Sequence, residues 1–227
     1  MLFSTQLFTI QSNLIPIKIL KNYFSIYPHN LPNYFNKIPL SLPHFNLKDH
    51  TVKTCSGLIN YYNNSITFKS PCDIEIINED GKINSFFGRG NLNDGKRFSI
   101  HSNEQFFDYV RQEKYLCICK ITLDIFIQSD SPVLINSSLW DFKNYDIFNG
   151  VINAKNPINL NFFIPFPKNQ KRIFIKQNDS LFNIFFLTEK KIKVNFSDEK
   201  HNPLDYNNFH YVFSSLKKYL FPKKIIK

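Results

Sequence analysis

Residues 114–128, KYLCICKITLDIFIQ, constrain this chain more than any other stretch. Every odd position from Tyr115 to Ile127 is apolar: Tyr115, Cys117, Cys119, Ile121, Leu123, Ile125 and Ile127. The even positions mix Leu116, Ile118 and Phe126 with Lys120, Thr122, Asp124 and Gln128. A period of two in β-branched and aromatic residues is what a strand with one fully buried face requires. Strands mostly run about 3–10 residues, so a strand this long is expected to bend or to serve two sheets. It is read as the central strand of the fold.

The rest of the chain supplies more strands and few helices. Strands are expected at Ser65–Phe68, Asp73–Ile77, Lys82–Phe87, Val133–Ser137, Ile147–Asn153, Asn159–Phe166 and Lys191–Phe196. Asp80-Gly81 between two of them is a two-residue hairpin signal. Arg172–Lys176 and Leu181–Leu187 flank Gln177-Asn178-Asp179-Ser180, which reads as a second hairpin turn. Cys55–Tyr62 fits either a strand or a short helix, and Leu14–Leu20 a strand. His101–Arg111, with Ser102 or Asn103 as N-cap, reads as a short mid-chain helix. Asp205–Leu220 carries Tyr206, Phe209, Phe213, Leu216 and Leu220 at helical spacing, so a C-terminal amphipathic helix is expected there.

About ten close-spaced strands without βαβ alternation predict a mainly β fold, a β-sandwich resembling a jelly roll. The expected organisation is an extended N-terminal arm over residues 1–50, rich in prolines (Pro28, Pro32, Pro39, Pro43), then a sandwich over 51–200. A helix and basic tail at 201–227 complete it. With 25 Phe and 11 Tyr in 227 residues, the chain has enough bulky apolar material for a sizeable core.

The net charge is +10, carried by 24 Lys and only four Arg. Phosphate and base recognition leans on the bidentate guanidinium, so this balance reads as compositional drift. The charge is nonetheless uneven: residues 168–227 hold 13 Lys and Arg against five Asp and Glu. Lys217, Lys218, Lys223, Lys224 and Lys227 form a basic patch able to contact nucleic acid without sequence preference. No apolar run reaches the roughly 18–20 residues of a membrane span. The N-terminus lacks the basic region and small-residue cleavage site of a secretory signal.

Chemistry is sparsely encoded. Cys117 and Cys119 lie two apart on one strand face, about 6.5–7 Å from each other, a poor geometry for bridging; they read as buried free thiols in a reducing compartment. Cys-x-Cys has no second pair at zinc spacing. No His-x-Asp or His-x-Glu occurs, and Asp49-His50 and His201, Asp205 and His210 are the nearest groupings, so no metal or cofactor is expected. Gly88-x-Gly90 lacks the third glycine of a phosphate loop. If a thiol is functional, Cys72 is the better placed, after Pro71 at a strand start. Asp124 shares the mixed strand face with Lys120, as an ion pair or as an acid in a pocket. Trp140 and Tyr145 sit in an aromatic-dense loop, either plugging the core or offering a rim for stacking. Asp124, Lys120, Trp140 and Tyr145 are therefore the candidate binding residues.

The Cys55–Tyr62 segment, Ser70-Pro71-Cys72-Asp73-Ile74-Glu75-Ile76, the surroundings of Trp140, and Ile175-Lys176-x-Asn178-Asp179-Ser180-Leu181-Phe182 resemble a family of small proteins encoded by marine tailed phages. The likeness covers residues 55–77 and 133–187. The family more often has Cys-Pro where this chain has Cys55-Ser56, and Gly-Asp or Gly-Glu where it has Asn178-Asp179. The resemblance implies a viral source, in host cytoplasm or virion, and brings no established activity. The expected function is a non-enzymatic binding or structural sandwich whose partner is another protein or itself. A metal-dependent jelly-roll enzyme is the alternative, and a weak nucleic-acid binder the third reading.

Overall fold

A computed structural model of the chain describes residues 5–12, 15–26, 55–88, 97–105, 109–137 and 143–199. The expected C-terminal helix and basic tail, the proline-rich stretch at 28–43 and most of the glycine-bearing loop lie outside these residues. The described strands are β1 (Thr5–Ser12), β2 (Phe24–Ile26), β3 (Ser65–Lys69), β4 (Ile74–Glu79), β5 (Lys82–Phe87), β6 (Phe98–Ser102), β7 (Tyr115–Ser129), β8 (Val133–Ser137), β9 (Gly150–Ile152), β10 (Ile158–Pro167), β11 (Arg172–Ile175), β12 (Ser180–Phe186) and β13 (Lys191–Ser197). Three short α-helices accompany them, α1 (Ile17–Leu20), α2 (Ser56–Asn63) and α3 (Tyr109–Lys114), with 3-10 turns at Lys21–Tyr23 and Asn103–Gln105. No described helix is long and apolar enough to cross a membrane.

The strands form a five-stranded sheet ordered β10-β7-β1-β13 with β6 also on β7, a three-stranded sheet β11-β4-β5, and a five-stranded sheet β2-β3-β12-β8-β9. The fold is mainly β, and the two five-stranded sheets pack face to face as a sandwich. Aromatic pairs cross the interface: Phe8 with Phe186 at 4.8 Å between ring centroids, Phe162 with Phe182 at 5.7 Å and Phe24 with Phe196 at 6.1 Å. Ring pairs at such separations favour edge or offset contact and add to the burial of their area. Ile74, Ile76, Ile173 and Ile175 of the small sheet join the same core.

β7 organises the large sheet. Antiparallel β10 runs along its whole length on one side. The other side is divided: β6 pairs with Cys117–Ile121 and β1 with Ile125–Ser129. Between them the strand bulges. Asn161 of β10 faces Thr122 and Asn159 faces Phe126, so four steps on β7 match two on β10. Asp124 takes φ +54° inside the bulge, a left-handed conformation that Asp and Asn tolerate better than β-branched residues. The expectation that so long a strand bends or serves more than one group of partners is met by this device.

The first and last of the described strands meet in that sheet. β1 lies between β7 and β13, parallel to β13. Thr5–Ser12 and Phe24–Ile26, within the stretch read from the sequence as an extended N-terminal arm, contribute one strand to each large sheet. Leu14–Leu20 was expected as a strand, but Pro16 supplies the fixed φ of −56° that opens α1, and its carbonyl accepts the amides of Ile19 and Leu20, each at 2.9 Å. The mid-chain helix is also displaced. His101 and Ser102 end β6, because ladder pairing with β7 outweighs a local helical signal; the helix is α3, farther on.

Asp80-Gly81 forms the expected hairpin turn, with φ +49° and +87° between Glu79 and Lys82. The second expected hairpin is instead a corner. β11 pairs with β4, whereas β12 pairs with β3 and β8. The chain changes sheets at Lys176–Asp179 alongside the β3–β4 crossing. Ser70 N–H donates to Asp179 O and Asn178 N–H to Ser70 O, both at 2.8 Å, and Gln177 N–H donates to Asp73 Oδ1 at 2.7 Å. Asn178 sits at φ +70° to make the turn. On the outer face of the other large sheet, α2 lays Tyr61 on Phe185, with ring centroids 5.3 Å apart. The Tyr61 hydroxyl donates to Asn136 Oδ1 at 2.9 Å and accepts from Asn183 Nδ2 at 3.1 Å, while Thr67 Oγ1 donates to Asn183 Oδ1 at 2.7 Å.

If the bulge is set by backbone conformation, Asp124→Val forces a branched side chain into the left-handed region and lowers stability by about 2 kcal/mol, whereas Asp124→Asn loses under about 1 kcal/mol. Urea unfolding of both variants checks this; equal losses would show that the conformation at this position is not the constraint.

Candidate functional site

The residues singled out by sequence occupy separate places. Asp124 stands at the bulge, where its carbonyl accepts Ser12 Oγ–H at 3.0 Å. Its carboxylate Oδ2 lies 3.5 Å from Arg97 Nε, with both side chains about a third exposed or less, 27% and 30%. Arg97 precedes β6, and its carbonyl accepts the Thr122 amide at 2.9 Å. The pair therefore straddles the changeover from β6 to β1. A pair this exposed contributes about 1 kcal/mol or less, so its place in the structure is as a clamp on the bulge. Nothing in the sequence marks Arg97 as the partner, since the two are brought together only by the β6–β7 register.

Lys120 lies across from Phe163 of β10 and Ser99 of β6. It is half-buried, and that burial pushes its ammonium pKa down. Lys120 in turn acts on His101, the one histidine among the described residues. Burial first, and the Lys120 charge second, lower the His101 pKa, against a hydrogen bond to Gln105 that raises it.

Tyr145 is buried, with 7% of its surface exposed, and belongs to the core. It lines a cleft of about 220 Å³ with Lys114, Tyr115, Lys143 and Asp146. The cleft's polar groups serve one another and the backbone: Lys143 Nζ donates to the Ser180 carbonyl and, at 3.3 Å, to that of Leu181, and the Tyr115 hydroxyl donates to Asp146 Oδ2 at 3.2 Å. Tyr115 is nine residues along β7 from Asp124, on the order of 30 Å at strand rise, so Asp124 and Tyr145 do not share a site. Trp140, the basic residues Lys217, Lys218, Lys223, Lys224 and Lys227, and the histidines other than His101 lie outside the described residues.

The strand period predicts the burial of the paired thiols, though not how closely their sulfurs approach. Cys117 and Cys119 are buried and free, with sulfurs 3.9 Å apart. Their mutual hydrogen bond, then burial, push the Cys119 thiol well up. Cys72 is partly buried; burial first and the neighbouring Asp73 second raise its pKa, partly opposed by Arg97 and by the Gly88 amide. A raised pKa leaves little thiolate at neutral pH, the reverse of an activated nucleophile. Among the described residues, no three His, Cys, Asp or Glu side chains gather to hold a cation.

A different place stands out. β13 closes the order of its sheet, and among the described residues only β1 pairs with it. Its exposure alternates: Lys191, Lys193 and Asn195 face solvent, while Ile192, Val194 and Phe196 are half-buried against the core. Between this edge and the β2–β3 margin of the opposite sheet lies a groove of about 190 Å³, lined by Ile26, Ser65, Ile66, Phe186, Ile192 and Val194 among others. Ile26 at its rim is 41% exposed. Among the other described edges, β10 carries Pro165 and Pro167, β2, β9 and β11 have only 3, 3 and 4 residues, and β5 and β6, free of proline and glycine, have 6 and 5. β13 has seven residues and no proline or glycine. KIKVNF was legible as a strand, but its edge position follows from topology and left no local signal.

Two solution measurements follow from these environments. A thiol-alkylating reagent at neutral pH should modify exposed Cys55 first, Cys72 more slowly, and Cys117 and Cys119 only on unfolding; early loss of Cys117 or Cys119 would contradict the packed core. For His101, the unfolded chain takes up its proton near the ordinary value of 6.5 and the folded chain only at lower pH. Protonation therefore favours unfolding, and stability falls as pH drops below about 6.5. The melting temperature of His101→Gln should change less between pH 7 and pH 5 than that of the native chain, and an equal change would show that His101 titrates normally.

No family model matches the chain, and no curated protein or solved structure matches it.

Proposed function

We propose that this protein is a non-enzymatic β-sandwich that binds or assembles by accepting an extended strand at β13. The observation that carries the reading is the seven-residue edge itself, which among the described residues pairs only with β1. An unpaired edge presents a row of backbone N–H and C=O groups, and strand addition uses them for affinity while side-chain pockets at alternate positions give selectivity. Here the alternate positions Ile192 and Val194 open on a groove whose apolar side is Ile26, Ile66 and Phe186 and whose polar side is Asn63, Asn64, Ser65 and Lys191, so an incoming strand with period-two apolar residues has an apolar side on which to place them. The resemblance over residues 55–77 and 133–187 supports an accessory or virion-associated setting, in host cytoplasm or on a particle, for such an assembly.

Selection of displayed random peptides on the full chain tests this. Enriched sequences should be extended, with apolar residues at alternate positions. A proline in β13 then maps the site. Along a parallel pair, successive residues direct their backbone groups to opposite sides, so one of Lys193→Pro and Val194→Pro breaks the β1 ladder and the other blocks the outer edge alone. The variant that keeps the native melting temperature within a few degrees should lose peptide binding. Retained binding in that variant, or no enrichment of alternating peptides, overturns the proposal.

A further inference from the structure

We infer that the partner for this edge is a second copy of the same chain, paired antiparallel through β13 about a two-fold axis at Val194; the inference rests on the edge-binding reading above. The register decides it. With Val194 opposite Val194, all seven residues of the strand find a partner: Ile192 faces Phe196, Lys193 faces Asn195, and Lys191 faces Ser197 of the second copy. Cross-strand neighbours on one face of an antiparallel pair lie about 4.5–5.5 Å apart, and like charges directly opposite are destabilising. In this register apolar residues meet apolar residues on the core side. On the solvent side each lysine meets an uncharged polar residue.

Neighbouring registers do worse. Moving the axis to Lys193 sets Lys193 against Lys193. Moving it to Asn195 shortens the paired part of the strand to Lys193–Ser197. An odd offset would place the apolar face of one copy beside the lysine face of the other, which the two-residue period of a strand forbids.

The same register addresses the groove. Ile192 and Val194 line it, and Phe196 of the second copy, opposite Ile192, extends that apolar row along the rim while its ring stays packed on its own Phe24. Backbone pairing over seven residues supplies about six to eight hydrogen bonds, two at every other residue pair. The contact is isologous, uses one surface of each copy and closes on itself, as the commonest homodimers do.

Sedimentation of the full chain over a wide concentration range, with charge substitutions at the exposed Asn195, tests the register. Asn195→Glu puts a carboxylate opposite Lys193 twice per dimer and should tighten dimerisation by about two- to thirtyfold. Asn195→Lys should weaken it by a similar factor, and Lys193→Glu combined with Asn195→Lys should restore it. Each variant is first matched to the native chain by thermal melting. A chain that stays monomeric at every concentration overturns the inference, and so do Glu and Lys shifting the equilibrium in the same direction. If the chain is monomeric yet binds alternating peptides, self-pairing falls and strand acceptance stands. If it is monomeric and binds none, both fall.

Discussion

One strand edge has to serve two partners, and the architecture depends on how β7 manages it. Cys117–Ile121 pairs with β6 and Ile125–Ser129 with β1, while β10 holds the opposite side throughout. A regular strand would carry its right-handed twist smoothly through the change. Here the bulge at 123–125 takes it up, and Asp124 at φ +54° absorbs the turn. Ser12 on the Asp124 carbonyl and Arg97 on its carboxylate tie the end of β1 and the approach to β6 to this one residue. The bulge thereby lets an N-terminal strand sit between β7 and β13, and so brings β13 to the margin of the sheet.

The corner between the small sheet and the groove-side sheet is the second device of this kind. The β3–β4 and β11–β12 crossings run side by side and satisfy one another through Ser70, Asp73, Asn178 and Asp179. Buried backbone groups need partners wherever a strand leaves its ladder, and two antiparallel crossings supply them mutually. The small sheet can thus turn away from its neighbours without leaving amides unpaired, and its isoleucines still reach the common core.

Those two devices mark the boundary of what was legible. Period-two patterning found β7, β8 and β13 nearly to the residue, and Asp80-Gly81 gave its hairpin, because these signals are local: side-chain alternation and a turn that needs positive φ. The order of strands is not local. Gln177-Asn178-Asp179-Ser180 looks the same whether the flanking strands pair with each other or enter different sheets. His101 looked helical because its neighbours have helical spacing, and only the β6–β7 ladder makes it a strand. At the site level the sequence pointed to Asp124, Lys120 and Tyr145, which the fold places apart: an ion pair on a bulge, a half-buried stem between strands, a ring in the core. The edge at β13 carried no unusual residue at all.

An edge strand can be both exposed and safe when its charges are unevenly placed. Lysine on an edge strand usually discourages pairing, since a row of like charges meets its own kind in most registers. The lysines of β13 stop halfway: Lys191 and Lys193 occupy the first half of its solvent face, Asn195 and Ser197 the second. A charge confined to one half of a strand repels a copy that slides toward that half and tolerates one that is centred, because antiparallel pairing sets the first half against the second; a slide the other way loses paired length instead. The same lysines that guard the edge against indiscriminate pairing therefore select a register, which is how discrimination arises when the attractive part, backbone hydrogen bonding and an apolar face, is itself unselective.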